Sequence, residues 1–215
     1  MSQVANSSPY TKRIERAREL ATLYPFAREI LEIYQEIASF QSELFEHGRP
    51  PAGTTEPVAG LRARLAKVKP ETAGDLGLLE RAVAQPLAER EAIASGSEPQ
   101  IVCPGCGGRP VVGVLREQGH GARRSLICGR CSIEWDYPRV TCAACGRGEP
   151  VIYTAEQIPN VRIEVCPECR AYLKTVDLSR NALAVPIVDE MASIPLDLWA
   201  QERGYRKLEV NLLGL

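Results

Sequence analysis

The sequence predicts an α+β protein: a helical N-terminal domain, two small four-cysteine metal modules in tandem, and a helical C-terminal tail. Three observations carry this. All eight cysteines fall between Cys103 and Cys169, as four C-x-x-C pairs. The 102 residues before them hold no cysteine and are patterned for helices. After Cys169 the apolar spacing turns helical again. The expected boundaries are 1–100 for the helical domain, 101–140 and 141–178 for the two modules, and 179–215 for the tail.

Within the first domain, residues 9–47 are rich in Ala, Glu, Arg and Leu, with proline only at positions 9 and 25. Ile14, Ala17, Ala21 and Tyr24 predict a short first helix. Phe26, Ile30, Ile33, Ile37, Phe40 and Leu44 recur at steps of four and three, one apolar stripe along a longer helix facing a core. Pro25 suits its first turn, where the missing N–H costs little. His47-Gly48-Arg49-Pro50-Pro51 is a stop signal, with a cation favourable at the helix C-terminus. Residues 49–58 predict a loop. Shorter helices are expected around Leu61–Val68 and Leu76–Ala94, interrupted by Gly74, Gly77 and Pro86. Ser95–Gln100 (SGSEPQ) has the composition of a linker.

The cysteines pair as Cys103/Cys106, Cys128/Cys131, Cys142/Cys145 and Cys166/Cys169, with gaps of 21, 10 and 20 residues. The first two pairs recur 39 and 38 residues later, and the flanks agree: CPGCGGRPVV aligns with CAACGRGEPVI, and CGRCSIEW with CPECRAYL. A duplicated module is the simplest account. A C-x-x-C turn brings two sulfurs within reach of one ion. Gly107 and Gly146 let the chain turn back so that N–H groups approach the sulfurs. Two such knuckles make a tetrahedral four-sulfur site that suits zinc or iron. Such a site contributes folding free energy on the order of 10 kcal/mol. Structural disulfides are disfavoured in a cytoplasmic protein, and a thioredoxin-like redox pair would need a βαβ pattern that is absent. An iron–sulfur cluster is permitted, but tandem knuckles favour mononuclear sites.

In the tail, Tyr172–Asp177 predict a strand leaving the last knuckle. Val188, Met191, Ile194, Leu198 and Trp199 follow at roughly helical spacing, with Pro195 between two turns. Trp199 is expected as a core anchor between the tail and the helical half. Asp177, Asp189, Asp197 and Arg206 are read first as helix caps and surface ion pairs, and second as a partner-binding face.

Composition sets the outer limits. The chain has 215 residues, 45% apolar, with 26 Lys+Arg against 27 Asp+Glu and a net charge of −1. That balance does not predict binding to a nucleic-acid backbone or an anionic membrane. No apolar run approaches the roughly 20 residues of a membrane span. The start, MSQVANSSPY, shows neither a secretory signal nor a twin-arginine leader, so a cytoplasmic location is expected. Of the two histidines, His120 sits at an expected hairpin tip and His47 at a helix end. No catalytic triad or phosphate-binding loop is evident, and a closed four-cysteine site leaves no open position for substrate, so the sequence argues against an enzyme. Arg109, Arg116, Arg123, Arg124, Arg130 and Arg139, with Trp135 and Tyr137, form a basic and aromatic patch around the first two knuckles. Glu117, Glu134 and Asp136 dilute it, so nucleic acid is an unlikely partner.

Three segments carry a resemblance: Ile127–Cys145 (ICGRCSIEWDYPRVTCAAC), Val165–Asp177 (VCPECRAYLKTVD) and Leu196–Asn211 (LDLWAQERGYRKLEVN). Together they resemble the FdhE family of formate dehydrogenase accessory proteins, over about residues 100–215. The resemblance implies a helical domain joined to two rubredoxin-like (zinc-ribbon-like) modules. It implies a cytoplasmic factor that docks on the catalytic subunit of formate dehydrogenase and acts during its maturation. Cys103, Cys106, Cys128 and Cys131 would hold one metal ion, and Cys142, Cys145, Cys166 and Cys169 the second, with iron favoured and zinc possible. The alternatives are a rubredoxin-type electron-transfer protein and, less favoured, a nucleic-acid-binding zinc ribbon.

Overall fold

The computed structural model describes residues 8–48, 56–93, 100–119 and 121–215. Expectations for residues 49–55, the linker at 95–99 and His120 therefore lie outside the described residues. The chain forms two compact units, Met1–Arg90 and Glu91–Leu215.

The first unit is helical: α1 (Pro9–Leu23), α2 (Arg28–His47), α3 (Pro57–Val68) and α4 (Leu76–Glu91). The Ser8 hydroxyl accepts from the Tyr10 amide at the start of α1, with Pro9 in the first turn. Gly48, at φ 64°, closes α2, as the stop signal predicts. The expected stripe is displaced at its start. Pro25–Ala27 form a separate 3-10 turn, so Phe26 is outside the helix and 51% exposed. The buried face of α2 runs through Leu31, Tyr34, Ile37, Ala38, Phe40, Gln41 and Leu44, while Ile30 and Ile33 are half-buried. Pro86 does not break α4. It lacks the N–H that would bond the Ala82 carbonyl, and Gln41 Nε2 donates to that oxygen instead at 2.9 Å. Gly77 likewise lies inside α4, and Gly74 ends the 3-10 turn before it.

The second unit is built on one sheet. Its strands are β1 (Pro110–Gln118), β2 (Gly121–Cys128), β3 (Glu134–Asp136), β4 (Val151–Thr154), β5 (Val161–Val165) and β6 (Ala171–Asp177), with a short β7 (Arg206–Lys207). The order is β3-β2-β1-β6-β5-β4, and β7 pairs with β6. The sequence repeat is a structural repeat: β1, β2 and β3 form one antiparallel ribbon, and β4, β5 and β6 form its copy. The registers agree. Ile127 faces Glu134 and Leu126 faces Trp135, as Val165 faces Tyr172 and Glu164 faces Leu173.

The two ribbons join through β1 and β6, which run parallel, with Gly113, Leu115 and the residue between them opposite Thr175–Asp177. Each ribbon thus presents its strands in the same order and direction. Both pairs of knuckles consequently lie at the same end of the sheet. Gly113 makes the junction possible, since a Cβ there would lie 2.3 Å from Thr175 Oγ1.

Two helices follow β6: α5 (Pro186–Ala192), packed on β1 and β6, and α6 (Ile194–Glu202). Ser193 separates them, and Pro195 falls in the first turn of α6. The tail is not helical throughout, because β7 adds to the start of β6 in parallel.

Candidate metal centres

Each four-cysteine group converges. The sulfurs of Cys103, Cys106, Cys128 and Cys131 lie within 4.8 Å of one another, and so do those of Cys142, Cys145, Cys166 and Cys169. Four sulfurs about 2.3 Å from one ion stand about 3.8 Å apart at tetrahedral angles. The separations observed are 3.5 Å (Cys103–Cys131), 3.4 Å (Cys106–Cys128), 3.8 Å (Cys142–Cys169) and 3.9 Å (Cys145–Cys166). All eight are free thiols. The donor set and spacing fit one divalent ion per group, and both zinc and iron accept four thiolates.

All four knuckles share one backbone design. The residue after the second cysteine has positive φ and donates its N–H to the carbonyl of the first. Gly107 and Gly146 do so at 2.9 Å, Arg170 at 3.0 Å and Ser132 at 3.2 Å. The sequence marks two of these positions with glycine. The other two, Ser132 and Arg170, are non-glycine residues in the left-handed region, visible beforehand only by their place after a second cysteine. Amides inside the turns point at sulfur: Gly105 N to Cys103 Sγ at 3.4 Å, Arg130 N to Cys128 Sγ at 3.4 Å, and Ala144 N to Cys142 Sγ at 3.3 Å. A Cβ on Gly108 would come within 3.0 Å of Cys128 Sγ and 3.2 Å of Cys106 Sγ, so that glycine keeps the sulfurs' space clear.

Burial pushes the Cys128 thiol up to about 12 and raises Cys131, Cys142 and Cys169 as well. For Cys106 and Cys166 burial acts the same way, but amide donors and neighbouring thiols outweigh it and hold them below the ordinary thiol value. In each group one sulfur ionises readily, while Cys128 and Cys131 in the first group and Cys142 and Cys169 in the second resist until a cation offsets the accumulating charge.

The basic and aromatic patch is only partly open: Arg109, Arg130 and Arg139 are exposed, but its other members are engaged within the protein. Arg116 pairs with Glu134 and Arg123 with Asp136. Arg124 is buried, 2.5 Å from Glu164, and donates to the carbonyls of Pro138 and Thr141. Trp135 is buried and donates to the Gln100 carbonyl at 2.8 Å, while the Tyr137 hydroxyl donates to the Cys142 carbonyl at 3.0 Å.

The tail acids are corrected too. Asp189 and Asp197 are buried and form no surface face. Asp189 accepts from the Val185 amide at the start of α5 and from Asn160. Asp197 belongs to a buried ionic cluster with Lys174, Glu190 and Lys207, in which Lys174 Nζ lies 2.9 Å from Glu190 and 2.5 Å from Asp197. Lys207 bridges the same two carboxylates. The cluster fastens β6, α5, α6 and β7 together. Sequence reasoning missed its Lys174, Glu190 and Lys207; the available signal, for Lys174, was an ionisable residue in the middle of the otherwise buried strand β6. Arg206 is exposed, and Asp177 pairs with Arg180 at 3.7 Å. Trp199 is half-buried, its ring 4.6 Å from that of Tyr153 on β4, within the second unit.

The family model for the FdhE central domain matches residues 102–139, and that for the FdhE C-terminal domain matches residues 140–213. The chain belongs to the FdhE family. The two FdhE domains meet at the boundary between the first and second ribbons and divide the cysteines four and four. A "Protein FdhE homolog" of Aquifex aeolicus is 38% identical over 117 residues, 52% of this chain and 41% of that protein. Another, from Pseudomonas putida, is 36% identical over 119 residues, 52% of this chain and 37% of that protein. The matched part thus spans about two fifths of these curated relatives. The crystal structure of the FdhE protein from Pseudomonas aeruginosa shares the fold, with a TM-score of 0.73 at 22% identity over 97% of this chain and 96% of that one. Among the described residues, no helix is long and apolar enough to cross a membrane.

Proposed function

We propose that this protein is a cytoplasmic accessory factor that docks on the catalytic subunit of a formate dehydrogenase and is needed for that enzyme's assembly or activity. The observation that carries this reading is the pair of converging four-sulfur groups within a chain of the FdhE family. In this reading Cys103, Cys106, Cys128 and Cys131 hold one metal ion. Cys142, Cys145, Cys166 and Cys169 hold the other. The resemblance favours iron, and zinc fits the same donors. Bound metal supplies rigidity, and redox sensitivity if it is iron. The protein's own residues shape the surface the partner meets. A closed four-thiolate site offers no position for substrate, which supports a role without a catalytic step of its own.

The test is affinity capture of the tagged protein from its own host, grown and lysed without oxygen, read by mass spectrometry against a tagged control. Enrichment of a formate dehydrogenase catalytic subunit is expected. Full formate dehydrogenase activity in a strain lacking the protein would overturn the reading.

A further inference from the structure

The two edges of the sheet are built differently. At one edge, β3 is three residues long; Trp135 is buried, and the exposed Glu134 and Asp136 are charged. Short, charged edges resist the addition of another strand. At the other edge, β4 carries Val151, Ile152, Tyr153 and Thr154, all exposed and none charged. Among the described residues only β5 pairs with it. Its outer side therefore presents free backbone N–H and C=O groups beside apolar side chains.

The repeat shows what such an edge accepts. β4 holds the place in the second ribbon that β1 holds in the first: each follows a first knuckle and pairs antiparallel with the next strand. On its other side β1 receives β6, running parallel. Beside the open edge, α6 adds apolar surface. Trp199 packs on Tyr153, and Leu198 is 55% exposed. An edge strand next to a helix is a common arrangement for capturing an extended peptide, with main-chain bonds giving affinity and alternate side chains giving selectivity.

We propose that β4 is a docking edge for an extended apolar segment of another polypeptide. The segment adds as a strand parallel to β4 and lays alternate side chains on Tyr153 and Trp199. A second copy of this chain is a poorer occupant. Two copies of β4 related by a two-fold would meet antiparallel, whereas the equivalent edge of β1 takes its neighbour parallel. The inference does not depend on which enzyme the protein serves.

The experiment pans a displayed library of short random peptides on the full, metal-loaded chain. Binders are expected to carry apolar residues at alternate positions and to slow amide exchange across 151–154. Val151→Lys, on the face that Tyr153 shares, should weaken them about tenfold or more, while Leu183→Lys, at a site 79% exposed, should not. N-methylation of alternate peptide nitrogens should abolish binding, a test that leaves the protein untouched. The proposal fails if nothing is enriched, if binders protect other segments, or if the N-methylated peptides bind as well. It also fails if β4 is protected only by dimerisation.

Discussion

Arg124, on the first ribbon, and Glu164, on the second, form an ion pair at 2.5 Å with side chains only 1% and 2% exposed. Removing one partner leaves a charge without water. Arg124→Leu is expected to destabilise the protein by about 3 kcal/mol, moderated because Arg162 still pairs with Glu164 at 2.7 Å. Arg124→Leu combined with Glu164→Leu should recover much of the loss. Chemical denaturation of the metal-loaded proteins under anaerobic conditions measures both.

Gly113 tests the junction between the ribbons. Its missing Cβ makes room for Thr175, whose oxygen would otherwise be 2.3 Å away. Gly113→Ala should cost about 1–3 kcal/mol through overpacking. Adding Thr175→Ala should relieve part of that, seen as a partial recovery of the thermal midpoint. Equal stability of Gly113→Ala and the parent would contradict the close approach.

The buried ionic cluster gives a pH signature. Burial opposes ionisation of Glu190, but Lys174 and Lys207 outweigh it and hold the carboxyl near 2 instead of its ordinary 4.5. A folded-state value below the unfolded one gives stability that is present above about 4.5 and lost as pH falls toward about 2. Glu190→Gln should therefore be less stable than the parent at pH 7, and the gap should narrow through that window. Comparing the two proteins cancels the acid release of metal, which both undergo. A gap that does not change with pH would contradict the assignment.

Cys103→Ser and Cys142→Ser should each lower the metal content by one ion per chain, since each removes one sulfur from a different group of four. Elemental analysis of protein purified without oxygen is the measurement. The same metal content in parent and variant would remove that group as a site.

Pairing of Arg116 and Arg123 and burial of Arg124 take half of the six-arginine patch out of play, leaving Arg109, Arg130 and Arg139 exposed. Titration with single-stranded and duplex oligonucleotides should be flat at physiological salt. Binding that weakens steeply with added salt would revive the nucleic-acid reading.

The cysteine spacing made both sulfur groups and their duplication legible, because four ligands on one ion leave little freedom in the chain between them. The N-terminal helices were legible by periodicity, but Phe26 was misplaced because Pro25 starts a separate turn. Pro86 read as a break because its compensation comes from Gln41 on another helix, a non-local donor that no window of sequence contains. Asp197 read as a surface acid because composition carries no information on burial, and its partners Lys174 and Lys207 lie far from it along the chain. The parallel pairing of β1 with β6 left one local trace, the glycine at position 113 within an apolar strand.

Because both ribbons run in one direction, the sheet resembles a comb, with its teeth rooted at the knuckles. Four sulfurs converge at each root, while at the far end of the first ribbon the pairing of β1 with β2 runs out where Gln118 faces Gly121. Fraying should start at the tips and travel toward the sulfurs. If each root holds a metal ion, losing one frees that ribbon from below, while the seam at Gly113 and Thr175 and the Arg124–Glu164 pair still tie it to its neighbour.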